Sequence, residues 1–168
     1  MKRIIFFLLS FYGCMTVSMA QSPFQLEYGT VIYQHTFDFP QGSVKELEYR
    51  FRRIPEVFDL KYNGATFTAN LQNVKMDFER SYRAWIGLNY PYEAGLTVEF
   101  AEDKYTVTIR GIKFQASSTS RKVYDLTEYV ANKERTELID SKNRNYTLNV
   151  IHQYFQDTFD IGAELYSK

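Results

Sequence analysis

The chain has 168 residues, and its 20 basic and 20 acidic side chains cancel to a formal net charge of zero. This balance argues against nucleic-acid binding, which needs a basic surface to neutralise phosphates, so we predict no nucleic-acid partner. The length suits a single domain with a hydrophobic core of its own. Cys14 is the only cysteine, which excludes an intrachain disulfide.

The first twenty residues match the pattern of a secretory signal peptide. Lys2 and Arg3 precede the apolar run Ile4–Tyr12, and the small residues Ser18 and Ala20 come before the expected cleavage point. A membrane-spanning helix needs about 20 apolar residues, so this run is too short for a transmembrane anchor. The sequence therefore predicts an exported protein, either periplasmic or secreted.

A lipid anchor at Cys14 is the alternative interpretation of the same segment. In bacterial lipoproteins the lipidated cysteine follows a small residue, which Gly13 matches, but Tyr12 is too bulky for the position before it. Cleavage after Ala20 is therefore favoured over a lipid anchor at Cys14. Residues 21–168 then form one domain with a net charge of −2, because the leader holds two basic residues and no acidic one.

The domain opens with a strand and a helix. Apolar residues occupy every second position over Val31–Phe39, which predicts a half-buried strand. Ser43 and Glu46 have the spacing of a capping box, in which each side chain accepts a backbone N–H of the other residue. They predict a helix over Ser43–Ile54, which Pro55 ends.

A run of antiparallel strands follows. A short strand at Phe58–Leu60 ends at the Asn63-Gly64 turn. The apolar residues of Ala65–Leu71 and Val74–Phe78 have opposite parity, so we expect a turn or a bulge at Gln72-Asn73.

The next three strands have the clearest alternation. Tyr82–Tyr90 alternates and is predicted as a strand. Leu96–Phe100 and Tyr105–Ile109 are predicted to pair as a hairpin through the Glu102-Asp103 turn. Gly111 then shifts the parity, which indicates another bulge or kink.

The last third of the chain combines a polar loop, an ambiguous segment and a long helix. Ala116–Ser120 is predicted as the loop. Arg121–Leu138 is open between strand, helix and loop: Asp125 is a suitable N-cap for a short helix, whereas the residues before it suit a strand. A long helix begins at about Lys142. Its apolar stripe consists of Leu148, Ile151, Phe155 and Phe159.

These elements predict an α+β fold. Each of the two main helices has one apolar stripe, so we expect both to pack on one face of a curved antiparallel sheet of about five to six strands. The other face of the sheet is then open to solvent. No internal repeat or linker divides the domain.

This order of elements resembles a family of small secreted bacterial proteins of unknown function with a TATA-binding-protein-like fold. The resemblance is carried by the strand Val31–Phe39, the helix Ser43–Ile54, the hairpin Leu96–Ile109 and the closing helix. It covers most of the chain after the leader, and it implies a fold and no activity. DNA binding is not implied, because the TATA-binding saddle uses basic residues and wedging aromatics, whereas this chain is close to neutral.

The two histidines are the first candidates for catalysis or metal binding. His35 has core parity in its strand while Asp38 has the opposite parity, so we interpret His35 as a histidine at the sheet edge and not as a general base. His152 and Asp157 are five residues apart and face different sides of a helix. A zinc site would need both histidines and carboxylates to meet, so we predict no metal and no cofactor.

One group of residues stands out from this background. Assuming strand parity, a candidate binding face on the open side of the sheet consists of Arg83, Trp85, Thr106, Thr108 and Arg110. Trp85, the only tryptophan, would stack there on a sugar ring, a peptide or a partner protein. The alternatives are that a loop such as Ala116–Ser120 covers Trp85, or that the parity is off by one.

The predicted function is therefore an exported, non-catalytic binding or interaction domain whose partner is a protein, a peptide or a saccharide. Two alternatives stay open. One is a hydrolase that uses carboxylates such as Glu99, Glu102 or Asp103. The other is a structural component of the cell envelope that self-associates through the open sheet face or a strand edge.

Overall fold

The computed structural model of the protein describes residues 22–78, 81–115 and 122–162. The leader, Cys14 and the polar loop Ala116–Ser120 lie outside the described residues, so the interpretations of those segments stay predictions. Within the described ranges, no helix is long and apolar enough to cross a membrane.

Seven strands and three α-helices make up the described part of the chain. In order, they are β1 (Phe24–Glu27), β2 (Thr30–Asp38), α1 (Val44–Phe51), β3 (Val57–Asn63), β4 (Thr66–Val74), β5 (Tyr92–Ala101), β6 (Lys104–Gln115), β7 (Val123–Asp125), α2 (Leu126–Val130) and α3 (Lys142–Phe159). The strands form one open sheet in the order β1-β2-β6-β5-β4-β3, with β7 paired to β6, and every pairing is antiparallel. The predicted α+β class is confirmed, with seven strands instead of five to six.

Both main helices pack on the same face of the sheet, as predicted. Phe51 of α1 stacks on Phe159 of α3 with ring centroids 5.9 Å apart, and it meets Tyr105 of β6 edge-on at 5.9 Å. Phe155 of α3 packs against Tyr33 of β2 at 5.0 Å. These rings are fully buried, so the hydrophobic core lies between the sheet and the two helices.

The two predicted parity changes are bulges. The β4–β5 register shifts between Leu71 and Val74, and the β5–β6 register shifts between Glu93 and Gly95. Gly111 lies opposite the second shift with a φ of +66°, a backbone conformation that glycine adopts without steric cost. The two bulges meet at β5, where they distort the middle of the sheet.

The local signals around the helices are largely confirmed. Ser43 Oγ accepts the N–H of Glu46 at 3.2 Å, but the Glu46 carboxylate accepts from Arg50 at 2.9 Å and does not need the predicted reciprocal bond. The segment that was open between strand, helix and loop contains both a strand and a helix, because the short strand β7 leads directly into α2. Asp125 caps α2 by accepting the N–H of Thr127 at 2.8 Å.

The strand predicted over Tyr82–Tyr90 is wrong. This segment is a loop that contains a short 3₁₀ helix, Ile86–Asn89. Its alternating apolar residues do not share one sheet face: Leu88 is buried in the core, while Ile86 is exposed. The short strand β1 was not predicted, because its alternation of apolar and polar residues covers only four positions.

Candidate functional site

The structure divides the predicted binding face into two parts. Thr106, Thr108 and Arg110 lie on β6 and share the face opposite the helices, as predicted, because their neighbours Tyr105, Val107 and Ile109 are fully buried in the core. Arg83 and Trp85 lie in the loop before the 3₁₀ helix and not on a strand. Of the predicted residues, only those on β6 therefore belong to the open sheet face.

Trp85 has a structural role in this fold. Its ring stacks on Tyr129 of α2 with centroids 4.6 Å apart and an interplanar angle of 8°. It also meets Phe114 edge-on at 5.4 Å. Gly87 lies so close that a Cβ there would come within 2.5 Å of the indole. With these neighbours the indole is half-buried, and Tyr129 covers one of its ring faces.

Arg83 is exposed but belongs to its own loop. Its guanidinium lies 5.3 Å from the centroid of the Tyr82 ring, and its Nε donates to the Tyr82 hydroxyl at 3.1 Å. Arg83 is therefore removed from the candidate sheet face together with Trp85.

The observed sheet face carries polar side chains in register across five strands. One row runs from β2 to β3 through Gln34, Thr108, Thr97, Thr68 and Lys61. A second row runs through Thr36, Thr106, Glu99, Thr66 and Asn63. Most of these side chains are exposed or half-buried, so solvent reaches the face. Thr108 is the exception at 3% exposure, where it accepts from Gln34 Nε2 at 3.2 Å.

A third row crosses the bulged region and differs in chemistry from the other two. It runs through Ile32, Arg110, Gly95, Asn70 and Phe58. Paired residues in an antiparallel sheet point to the same face, so Phe58 shares the face of the exposed Asn70. Phe58 is 43% exposed, which makes it an accessible aromatic ring on this side of the sheet. We call this row the Phe58 row.

A depression of about 260 Å³ lies in the Phe58 row, where the two bulges meet. Gly95 leaves its floor free of side-chain atoms, and the rim includes Asn70, Glu93, Arg110 and Lys113. The Arg110 guanidinium is held by an ion pair with Glu27 of β1 at 2.5 Å. The depression therefore combines amide, carboxylate and cationic groups, with an aromatic ring one position further along the row.

Sequence reasoning identified only Arg110 among these residues. Phe58 was placed with the core residue Leu60, because the two share parity in the sequence. A bulge between Phe58 and Lys61, with Asp59 at a φ of +53°, turns Phe58 to the other face. The predicted parity changes on β4 and β6 were the available signals for the depression, since bulges frequently shape sites in sheets.

Two of the carboxylates named for a hydrolase have identified polar neighbours. Glu99 lies between Thr66 and Thr106 in the cross-strand register. Asp103 accepts the backbone N–H of Gln41 at 3.3 Å in the β5–β6 turn.

A larger cleft of about 590 Å³ separates the ends of α1 and α3. Its lining carries both signs of charge, from Glu46, Arg50, Arg53, Glu56 and Asp157 among others. Arg50 is already engaged, since it donates to Glu46 and to the carbonyl of Ile161 at 2.9 Å. Within this cleft Glu46 and Arg50 already pair with each other, which reduces the charge left for a ligand.

The structure also brings together the only two histidines of the chain. The rings of His35 on β2 and His152 on α3 have centroids 5.5 Å apart, and both are half-buried. Burial lowers the pKa of each histidine; the charge of His35 lowers that of His152 further, and Asp160 acts in the opposite direction on His35. His35 lies at the edge of the sheet with its ring on the helix side, as its parity in the sequence predicted.

The environment of the histidine pair is aromatic. Tyr33 Oη lies 3.3 Å from His152 Nδ1, and the Phe37 ring meets His35 edge-on at 4.7 Å. Asp38 points away and pairs with Lys104 at 3.4 Å, as its parity predicted. Over the residues that the structure describes, no group of three or more His, Cys, Asp or Glu gathers as a metal site.

Comparisons with known proteins identify the fold. No family model and no curated protein matches the sequence. A TBP-like protein from Parabacteroides distasonis aligns with a TM-score of 0.50 and 14% identity, covering 83% of this chain and 96% of that one. A DUF4468 family protein from Bacteroides ovatus aligns with a TM-score of 0.42 and 15% identity, covering 87% of each chain.

The chain is an α+β protein with a TBP-like fold, as the sequence resemblance implied. Its structural neighbours are Bacteroidetes proteins of unknown function. At 14% identity the likeness concerns the arrangement of strands and helices alone. The function therefore has to be argued from the residues of this chain.

Proposed function

We propose that the protein is an exported, non-catalytic binding domain that holds a saccharide on the Phe58 row of its open sheet face. The observation that carries the proposal is the alignment of an exposed aromatic ring with a polar depression in one cross-strand row. The leader pattern supports export, because it has the basic start, apolar run and small residues of a signal peptide.

The chemistry of the row suits a hydroxyl-rich ligand. The Phe58 ring offers an apolar surface on which the C–H face of a sugar packs. Asn70, Glu93 and Arg110 offer donors and acceptors for its hydroxyl groups. Adjacent strands lie about 4.8 Å apart, so the distance from Phe58 to Arg110 across three pairings is about 14 Å, long enough for a short oligosaccharide.

The threonines beside the row support the same ligand. Their hydroxyls both donate and accept, and their β-branched side chains have few rotamers to lose on binding. Gly95 lets a ligand approach the strand closely, since no side chain rises from that position. A peptide or a folded protein partner is the alternative occupant of this face.

The test is a glycan-array screen of the purified protein, followed by calorimetry with the best ligand. Phe58→Ala and Arg110→Ala are each expected to weaken saccharide binding about tenfold or more, which corresponds to the loss of one aromatic or charged contact. Thr108→Val is expected to have little effect, because Thr108 is buried.

Tyr62→Ala is the matched control. Tyr62 lies on the same strand and is 47% exposed, but its ring stacks on the core residue Phe67 at 5.3 Å and so points to the helix side. Equal loss of binding in Tyr62→Ala and Phe58→Ala would contradict the proposed face. Binding to peptides and to no glycan would replace the saccharide with the alternative occupant.

A further inference from the structure

The histidine pair lies at an accessible position on the helix side of the sheet. β1 pairs with β2 only from Thr30 to Tyr33, so among the described residues the second half of β2 has no strand neighbour on that side. His35 lies in this second half, and α3 brings His152 to the same point. Both rings are half-buried, so solvent reaches part of each ring.

The spacing of the two rings matches shared coordination of one ion. A zinc–nitrogen bond is about 2.1 Å long, which places the ion about 3.2 Å from each imidazole centroid. At a tetrahedral angle the two centroids are then about 5.2 Å apart. The observed separation is 5.5 Å at an interplanar angle of 67°, which is close to this value and is also a normal distance for an edge-to-face ring pair.

Tyr33 provides the outer hydrogen bond that metal-binding histidines commonly make. If His152 Nδ1 donates its hydrogen to Tyr33 Oη, across the observed 3.3 Å, Nε2 keeps a free lone pair for an ion. Tyr33 is fully buried beneath both rings, and its position is held by Phe24 and Phe155. The orientation of His152 is therefore set before any ion arrives.

We propose that His35 and His152 bind one zinc ion, with water completing its coordination shell. Neutral imidazole is a preferred ligand of this ion, and the negative charge of Asp160 acts favourably on the His35 side. The site is independent of the Phe58 row, since it lies on the opposite face of the sheet. The sequence analysis had expected a zinc site to need carboxylates as well as both histidines. In the proposed site the two histidines, from distant segments, are the only protein ligands.

The first test uses the unmutated, untagged protein, because it contains no other histidine. Zinc chloride is titrated while the imidazole resonances of both histidines are recorded by NMR. The expected result is that both sets of resonances move together and reach a plateau at one equivalent of zinc. A shift of one histidine alone, or of neither, would overturn the proposal without any substitution.

Variants then assign the ligands by calorimetry with zinc chloride. His35→Gln and His152→Gln are each expected to weaken zinc binding by more than about a hundredfold, and Tyr33→Phe by about tenfold to a hundredfold. Gln153→Ala, on the exposed side of α3, is the control and should bind zinc as the unmutated protein does. Unchanged affinity in either histidine variant would also overturn the proposal.

Discussion

Two buried tyrosines show how the surroundings of one residue determine what its hydroxyl contributes. The Tyr105 hydroxyl donates to the carbonyl of Phe159 at 2.6 Å and accepts the N–H of Ile161 at 3.1 Å. It therefore ties the end of α3 to β6. The Tyr92 hydroxyl is buried beside the Tyr154 hydroxyl and reaches full hydrogen-bond geometry with no described residue. A buried polar group without a partner costs free energy on folding, so the two hydroxyls have opposite effects.

Removing each hydroxyl in turn is expected to change the free energy of unfolding differently. Tyr105→Phe should lower the free energy of unfolding by about 1–3 kcal/mol, because two backbone groups at the end of α3 lose their partner. Tyr92→Phe should leave the free energy of unfolding unchanged or raise it slightly. Urea denaturation of both variants measures the difference. Equal losses would show that the Tyr92 hydroxyl makes a hydrogen bond in solution.

At the scale of elements, the loop around Trp85 connects three parts of the fold. It packs Trp85 against Phe114 of β6 and Tyr129 of α2, and a second stacked pair, Tyr90 and Tyr124, joins it to β7 at 5.4 Å. Stacked aromatic pairs contribute beyond their buried area. The loop therefore fastens β7 and α2 to the end of the sheet.

Gly87→Ala is expected to displace Trp85, because the added Cβ would lie 2.5 Å from the indole. The expected result is red-shifted tryptophan fluorescence that acrylamide quenches more readily than in the unmutated protein. Trp85 is the only tryptophan, so the signal has one source. Ile86→Ala, at an exposed position in the same 3₁₀ helix, is the control and should leave the emission unchanged. Identical spectra for all three proteins would contradict this packing.

The elements that were predicted correctly are those whose periodicity, turns and caps can all be read from a short stretch of sequence. The β5–β6 hairpin combines two alternating stretches with a two-residue turn, and α3 has an apolar stripe more than three turns long. Tyr82–Tyr90 has the same alternation, but its residues contact different parts of the core. The spacing of apolar residues does not show which part of the core buries each of them. For this reason the alternation in Tyr82–Tyr90 led to a wrong strand prediction.

At the scale of the whole molecule, the buried tyrosines couple folding to alkaline pH. Burial raises the pKa of both Tyr92 and Tyr105 above the usual 10, because the folded protein disfavours their charged form. The unfolded chain therefore loses these protons first as the pH rises. The resulting contribution to stability is complete below pH 10 and is lost progressively above it.

We therefore expect the free energy of unfolding to fall as pH rises above 10, and to fall less steeply in Tyr92→Phe, which lacks one of the titrating groups. Urea denaturation at several pH values between 9 and 11 measures both slopes. Ile86→Ala, which removes no titrating group from an exposed position, is the control and should retain the slope of the unmutated protein. Equal slopes in Tyr92→Phe and the unmutated protein would contradict the burial of the Tyr92 hydroxyl.

The free edges of the sheet bear on the self-association alternative. β3 is an outer strand, and the bulge at Asp59 interrupts its regular backbone pattern. Bulged edges are one of the ways in which proteins discourage strand pairing between molecules. This weakens the case for assembly through β3, while assembly through the open sheet face stays a prediction.

Local sequence patterns were enough to predict the α+β class, the two main helices, the central hairpin and the bulge at Gly111, because caps, turns and periodicity are local properties of the chain. Three features became visible only in the folded chain: Phe58 lies on the open face, Trp85 is packed into a loop, and His35 meets His152. Each of these depends on a strand register or a contact between distant segments. A one-residue bulge reverses the face of a side chain, and no local pattern records which segments will meet.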